Sequence, residues 1–180
     1  KAKGDVVSTE SEVFYAAERK VGEEFKPGSA LESPFNTGAR YGGASISVDN
    51  RELYIAASNP TGRNPDNIDL YVTEYEILDQ DDNGDFFYIW GPLTPVAALN
   101  TPDGWEAQPA LSADGNELFF AAVNADSRQD RNGNPTMDIW SSTRSEAGEW
   151  LPAQMLPAPV NSNSNDKAPF LHPDGKTLYF

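Results

Sequence analysis

Two stretches of the 180-residue chain carry side-chain oxygens at a spacing suited to a hard cation. In "DQDDNGD", Asp79, Asp81, Asn83 and Asp85 alternate around Gly84. One face of a tight loop would then present carboxylate and amide oxygens, and the glycine permits the sharp bend that calcium loops require. The spacing follows the first half of an EF-hand-type loop, but Trp90 stands where the bidentate glutamate would be and no helical period flanks the loop. Calcium therefore competes with a plainer reading, a solvated hairpin tip made of ordinary turn formers. A second stretch, "DRNGNPTMD", offers Asp130, Asn132, Asn134 and Asp138 in a similar order with fewer charges.

Catalytic constellations are poor by comparison. Cysteine is absent, which removes disulfides, thiol nucleophiles and the common structural zinc sites. The single histidine, His172, has no serine elbow to serve. No phosphate loop is present, and no pair among the 28 acidic residues is marked out by its sequence surroundings. No catalytic residue and no cofactor beyond calcium is assigned. The net charge of −15 opposes binding to phosphate backbones and anionic lipid, so neither nucleic acid nor direct membrane insertion is expected. Hydrophobic content of 38% with four Trp, seven Tyr and nine Phe is enough for a packed core.

The elements that position these residues are set by an internal repeat. An aromatic followed two residues later by proline occurs at Phe25, Trp90 and Trp150, and each lies 24 residues before an aspartate, Asp49, Asp114 and Asp174. The aspartates sit in "SVDNRELYI", "SADGNELFF" and "HPDGKTLYF"; an asparagine, Asn36, Asn100 or Asn161, falls between aromatic and aspartate. A motif that recurs three times is architecture first, so these aspartates are read as hairpin turns in which Asp bonds its own backbone. Asp69 and Asp138 open the same strand in successive units and are read likewise. The repeated aromatics Tyr54, Phe119, Tyr71, Trp140, Trp90 and Trp150 are read as packing between units. The middle unit carries nine extra residues, since Tyr71 to Trp90 spans 19 positions where Trp140 to Trp150 spans 10. The insertion contains the "DQDDNGD" loop.

Each unit reads as four short strands, rich in β-branched and aromatic residues and punctuated by Gly, Pro, Asn and Asp, with no helical period. The fold class expected is all-β. "PALSADGNELFFAAV", "DIWSSTR" and "APFLHPDGKTLYF" resemble the WD40-like repeat of TolB-type β-propellers, and the long polar loops are similar to propellers of bacterial envelope OmpA-family proteins. Asn50 departs from the pattern's glycine, and Val48 and Ala113 from its proline. The resemblance implies a β-propeller of four-stranded antiparallel blades: a partial blade at 11–36, blades at 42–100 and 107–161, and a partial blade at 167–180, about three blades or half of a six-bladed ring. The leading expectation is a fragment of a longer chain; the alternative is a homodimer whose half-blades complete one ring. The resemblance further implies a non-enzymatic scaffold in the periplasm or cell envelope, or outside the cell, whose loops 58–67, 79–85 and 123–137 bind a protein, peptidoglycan or another glycan. The rival expectation is the propeller part of an enzyme, a glycoside hydrolase or lyase or the gating propeller of a serine peptidase.

Overall fold

The computed structural model describes residues 13–37, 39–58, 67–80, 82, 84 and 86–180. Their regular structure is all strand, in four antiparallel sheets that follow one another along the chain. The first sheet is β1 (Tyr15–Ala16) with β2 (Ser29–Ala30). The second holds β3 (Tyr41–Ile46), β4 (Glu52–Ser58), β5 (Ile68–Gln80), β6 (Phe86–Trp90) and β7 (Thr94–Pro95). The third holds β8 (Trp105–Leu111), β9 (Glu117–Val123), β10 (Asp138–Thr143) and β11 (Gln154–Met155), and the fourth β12 (Phe170–Leu171) and β13 (Leu178–Tyr179). No helix among the described residues is long and apolar enough to cross a membrane.

The second and third sheets share one order, β3-β4-β5-β7 and β8-β9-β10-β11. By the repeat, β1 and β2 are strands three and four of such a sheet, and β12 and β13 are strands one and two. The insertion lengthens the β5–β6 hairpin, whose pairing runs from Tyr75 opposite Trp90 to Gln80 opposite Phe86. Strand one bulges at the same place in both full sheets, between Tyr41 and Ala44 and between Ala107 and Ala110.

Each aspartate turn is a four-residue loop closed by the same bonds. The Ser47 N–H meets Glu52 O at 2.9 Å, Ser112 N meets Glu117 O at 2.8 Å and His172 N meets Thr177 O at 2.8 Å. Within the loop the aspartate Oδ1 accepts the backbone N–H two residues on, from Arg51, Asn116 or Lys176. Asn50, Gly115 and Gly175 take φ of 58°, 73° and 68°. Asparagine tolerates this left-handed conformation better than most side chains, which is why Asn50 can stand for glycine.

The repeated asparagines do a different job. Asn161 Oδ1 accepts the Ile139 N–H at 2.8 Å, while its Nδ2 donates to Ile139 O and Leu156 O, both at 2.8 Å. Asn100 grips both backbone groups of Leu70, and Asn36 those of Phe14 together with Leu31 O. An amide side chain thus mimics one rung of a ladder and ties the end of strand four to the start of strand three.

Strands β4 and β9 are apolar at consecutive positions and buried at nearly all of them. Period-two alternation is missing because both sheet faces are covered. Tyr54, Ala56 and Leu70 pack against Leu118, Phe120 and Trp140 between the second and third sheets, and Tyr41, Ile55 and Tyr71 pack with Phe14 between the first and second. Of the aromatics read as packing between units, Tyr54, Tyr71 and Trp140 are buried in these clusters and the half-buried Trp150 packs against the larger one, while Phe119 is buried and Trp90 half-buried outside them.

Asn161 is 1% exposed, so its removal strands a buried N–H and two carbonyls. Asn161→Ala should cost about 2–4 kcal/mol in denaturant unfolding, and the half-buried Asn36→Ala less. Equal costs for the two would contradict a role set by burial.

Candidate functional site

The sheets present two ends with different chemistry. At the turn end, the loops 47–52 and 112–117 stand side by side and enclose an open cleft of about 560 Å³ with Glu74 and Arg144 on its walls. Its acidic rim is set by local bonding. The Ser47 hydroxyl donates to Asp49 at 2.6 Å and the Ser112 hydroxyl to Asp114 at 2.6 Å. These bonds, with the turn N–H groups, hold both carboxyls below the usual carboxylate range. In the third turn His172 replaces serine, and its Nδ1 lies 3.2 Å from both Asp174 N and Asp174 Oδ2.

Arg144 bridges two sheets across this cleft. Its Nη2 lies 2.8 and 2.6 Å from the Glu52 oxygens and 2.6 Å from the Tyr54 hydroxyl, which also receives the Trp150 Nε1–H at 3.2 Å. The guanidinium stacks 4.6 Å from the centre of the Trp150 ring. Burial, the largest single influence, works against the charge of Arg144, but the bonds and charges of Glu52 and Tyr54 together outweigh it and the net shift is upward. The same cation–ring contact recurs as Arg19 over Phe25 at 4.5 Å, whereas in the middle unit Tyr75 meets Trp90 edge-on at 5.2 Å.

The opposite end carries the long loops and two acids closed off from solvent. Glu106 on β8 and Asp138 on β10 both pair with Ala122 of β9, from either side. Paired residues share a sheet face, so the two carboxyls flank one small side chain with Cα atoms roughly 10 Å apart. Both residues are 0% exposed. Glu106 Oε1 accepts the Thr101 hydroxyl at 2.6 Å, and Asp138 Oδ2 accepts the Arg128 N–H at 2.8 Å and the Thr136 hydroxyl at 3.3 Å. Glu106 Oε2, Asp138 Oδ1 and Arg128 Nε are buried with no protein partner. Gly104 makes room for this knot, since a Cβ there would lie 1.8 Å from Thr101 Oγ1 and 2.5 Å from Glu106 Oε1.

Burial pushes the Glu106 carboxyl up to about 7, with the Thr101 bonds opposing the rise and the charge of Asp69 adding to it. Asp69, half-buried and bonded by Asn67 Nδ2 at 3.2 Å, is also raised by burial. Nothing in the spacing of the sequence singled out Glu106. In "WEAQPAL" it shares the strand with Gln108 among apolar neighbours, which reads as one solvated face.

The two cation candidates fare differently. Asp79 Oδ1 accepts the Gln80 N–H at 2.8 Å, and Gln80 Nε2 donates to Gly84 O at 2.9 Å. Asp81, Asn83 and Asp85 lie outside the described residues, as does most of the loop 58–67. In the second stretch, Asp130 Oδ1 already accepts the N–H groups of Asn132 and Asn134 at 2.7 and 2.9 Å, and Oδ2 the Asn134 amide. Asp138 belongs instead to the buried knot with Arg128 and Thr136. The four residues share a loop but not a set of bonds, and no group of three or more acidic or histidine side chains suited to a metal occurs among the described residues.

The raised Glu106 carboxyl makes a signed prediction. The folded state holds its proton above the ordinary value of 4.5, so the stability it contributes is complete below that pH and is lost as pH rises through about 7. Relative to its difference from the wild type below pH 4, Glu106→Gln should gain on the order of 3 kcal/mol by pH 8.5. Parallel denaturation midpoints across that range would refute it. No protein-family model, no curated protein and no solved structure matches the chain.

Proposed function

We propose that the chain is a β-propeller region acting as a non-enzymatic binding scaffold for a protein or glycan in the bacterial envelope or outside the cell. The observation that carries this reading is the division between repeated and unrepeated parts. The turn aspartates and ladder asparagines make matching bonds in successive units, which fixes the sheets rigidly. The segments that differ between units, the extended β5–β6 hairpin and the loop 123–137, are what such a frame displays. Two consecutive sheets that share one four-strand order, the first with an added hairpin strand, and that bulge at one position support their assignment as blades.

The rim of the turn-end cleft suits the same ligands. Carboxylates that stay ionised accept hydrogen bonds from sugar hydroxyls and pair with basic side chains. The enzyme reading gains little here: Glu106 and Asp138, the buried carboxyl pair, are shut away from any substrate. In the scaffold reading, calcium belongs to the 79–85 tip and not to residues 130–138, whose oxygens are committed to the chain itself.

Two experiments test these assignments. Sedimentation with purified peptidoglycan sacculi, and a glycan array, should register binding that weakens at least tenfold when residues 78–87 are replaced by a two-residue turn, with the melting temperature unchanged. Binding indifferent to that replacement removes the hairpin from the role. Separately, Asp130→Ala should lower the melting temperature equally in calcium and in chelator, because it breaks a turn and no metal bond. A difference between the two conditions reverses the calcium assignment.

A further inference from the structure

The turn-end cleft has a neighbour. Along β5 a second open cavity of about 490 Å³ lies among Val72, Glu74, Glu76, Ile89, Pro92 and Thr94. Glu74 lines both, so the two adjoin and run from the repeated turns to the base of the inserted hairpin. We propose that they form one groove, which takes an extended segment of a partner protein carrying a basic side chain close to an apolar one. This rests on the scaffold reading for the ligand's being a protein, and on the cavities alone for its chemistry.

Charge selects the first side chain. In the turn-end cleft Arg144 is matched by Glu52 at 2.6 Å, which leaves Asp49, Asp114 and Glu74, with Glu76 beyond them, against the side chain of Arg51. Asp49 and Asp114 accept their internal bonds on Oδ1, from Ser47 or Ser112 and from the N–H two residues on. Among the described residues no bond reaches their Oδ2. Val48, 73% exposed, and Ala113 line the same cleft. A lysine or arginine stem lies on such a surface while its charged head reaches the acids.

The second cavity is the more apolar half. Ile89, 49% exposed, pairs with Glu76 and so shares its sheet face, as do Glu74 and Val72 at alternate positions of β5. Glu74 and Glu76 stand about 7 Å apart along the strand, the distance between alternate side chains of an extended peptide. A basic residue two positions from an apolar one therefore fills both cavities. Other ligands fit less well. No aromatic ring lines either cavity for a sugar to stack on. No group of three or more acidic or histidine side chains suited to a metal occurs among the described residues.

Titration of the isotope-labelled 180-residue chain with acetyl-Gly-Lys-Ser-Leu-Gly-amide, followed by NMR, should shift the N–H signals of Arg51, Asn116 and Gly91 to saturation. Glutamine for the peptide's lysine, or serine for its leucine, should weaken binding by about tenfold. So should Asp49→Asn with Asp114→Asn, which keep an Oδ1 acceptor and hence the turns, an unchanged melting temperature being the check. Arg51→Gln should tighten binding by about twofold, since it removes a like charge from the rim. Ile89→Ser should weaken the parent peptide but not the serine-containing one. No saturable shift, shifts spread evenly over the acidic surface, or binding indifferent to the paired Asp→Asn changes overturns the groove. Should sacculi or glycans still bind the chain in that event, the scaffold reading stands without the groove; should nothing bind, both fall.

Discussion

The fold depends on an amide side chain posing as backbone. Strand four is only two residues long wherever it occurs, as β2, β7 and β11. So short a strand cannot hold its place by ladder bonds. Asn36, Asn100 and Asn161 solve this by returning one turn later to bond both the N–H and the C=O of Phe14, Leu70 and Ile139. Those three residues lie at or beside the start of strand three, and Phe14 and Leu70 pack between sheets, so fixing their backbone also sets where the apolar contact surface lies.

The second constraint is that each sheet is buried on both faces. A strand such as β9, apolar at Leu118, Phe119, Phe120, Ala121 and Ala122, is stable only with neighbours on either side. Contacts between sheets are then of two kinds. Most of the area is apolar, as in Tyr54 and Leu70 against Phe120 and Trp140. A few directional bonds set alignment: Arg144 to Glu52 and Tyr54 at the turn end, Leu111 N to Ser45 Oγ between β8 and β3, and Ala168 N to Gln108 Oε1 just before β12. The bulge at Gln108, with φ of 55°, aims that side chain at the following sheet, where Ala168 takes φ of 56° at the matching position.

What the sequence made legible was whatever is settled within a few residues. The turn at Asp114 closes through Ser112, Asn116 and Glu117, all inside one hairpin, so the spacing of equivalent aspartates carried the message. The nine-residue insertion was legible as a longer hairpin for the same reason. Glu106 was not. Its strand alternates Glu106 and Gln108 with apolar neighbours, the pattern of a solvated face, and only the return of Thr101 over Gly104 encloses it. Arg144 was hidden differently: its repeat position holds Arg19 in one unit but Tyr75 in the other, so residue type recurs only in part, although contact with the repeated aromatic recurs in all three. The separation of Asp138 from Asp130 was also invisible, because spacing in a loop says nothing of which oxygen turns inward.

The two ends of the sheets answer to opposite electrostatic rules, and this bears on where a ligand can act. At the turn end, hydroxyl and N–H donors lower Asp49, Asp114 and Asp174, so that negative charge persists at the surface. At the loop end, burial raises Glu106 and Asp69, so that charge is suppressed inside. The scaffold reading proposed above therefore assigns a ligand recognised by charge to the first end, where the carboxylates stay ionised. The same reading assigns one recognised by shape to the second, where Asp138 anchors the loop 123–137 at its base by accepting the Arg128 N–H and the Thr136 hydroxyl. That anchor sits between two strands of one sheet, so the loop inherits the sheet's rigidity at its root while its exposed turn at Asp130 is held only by bonds to its own residues.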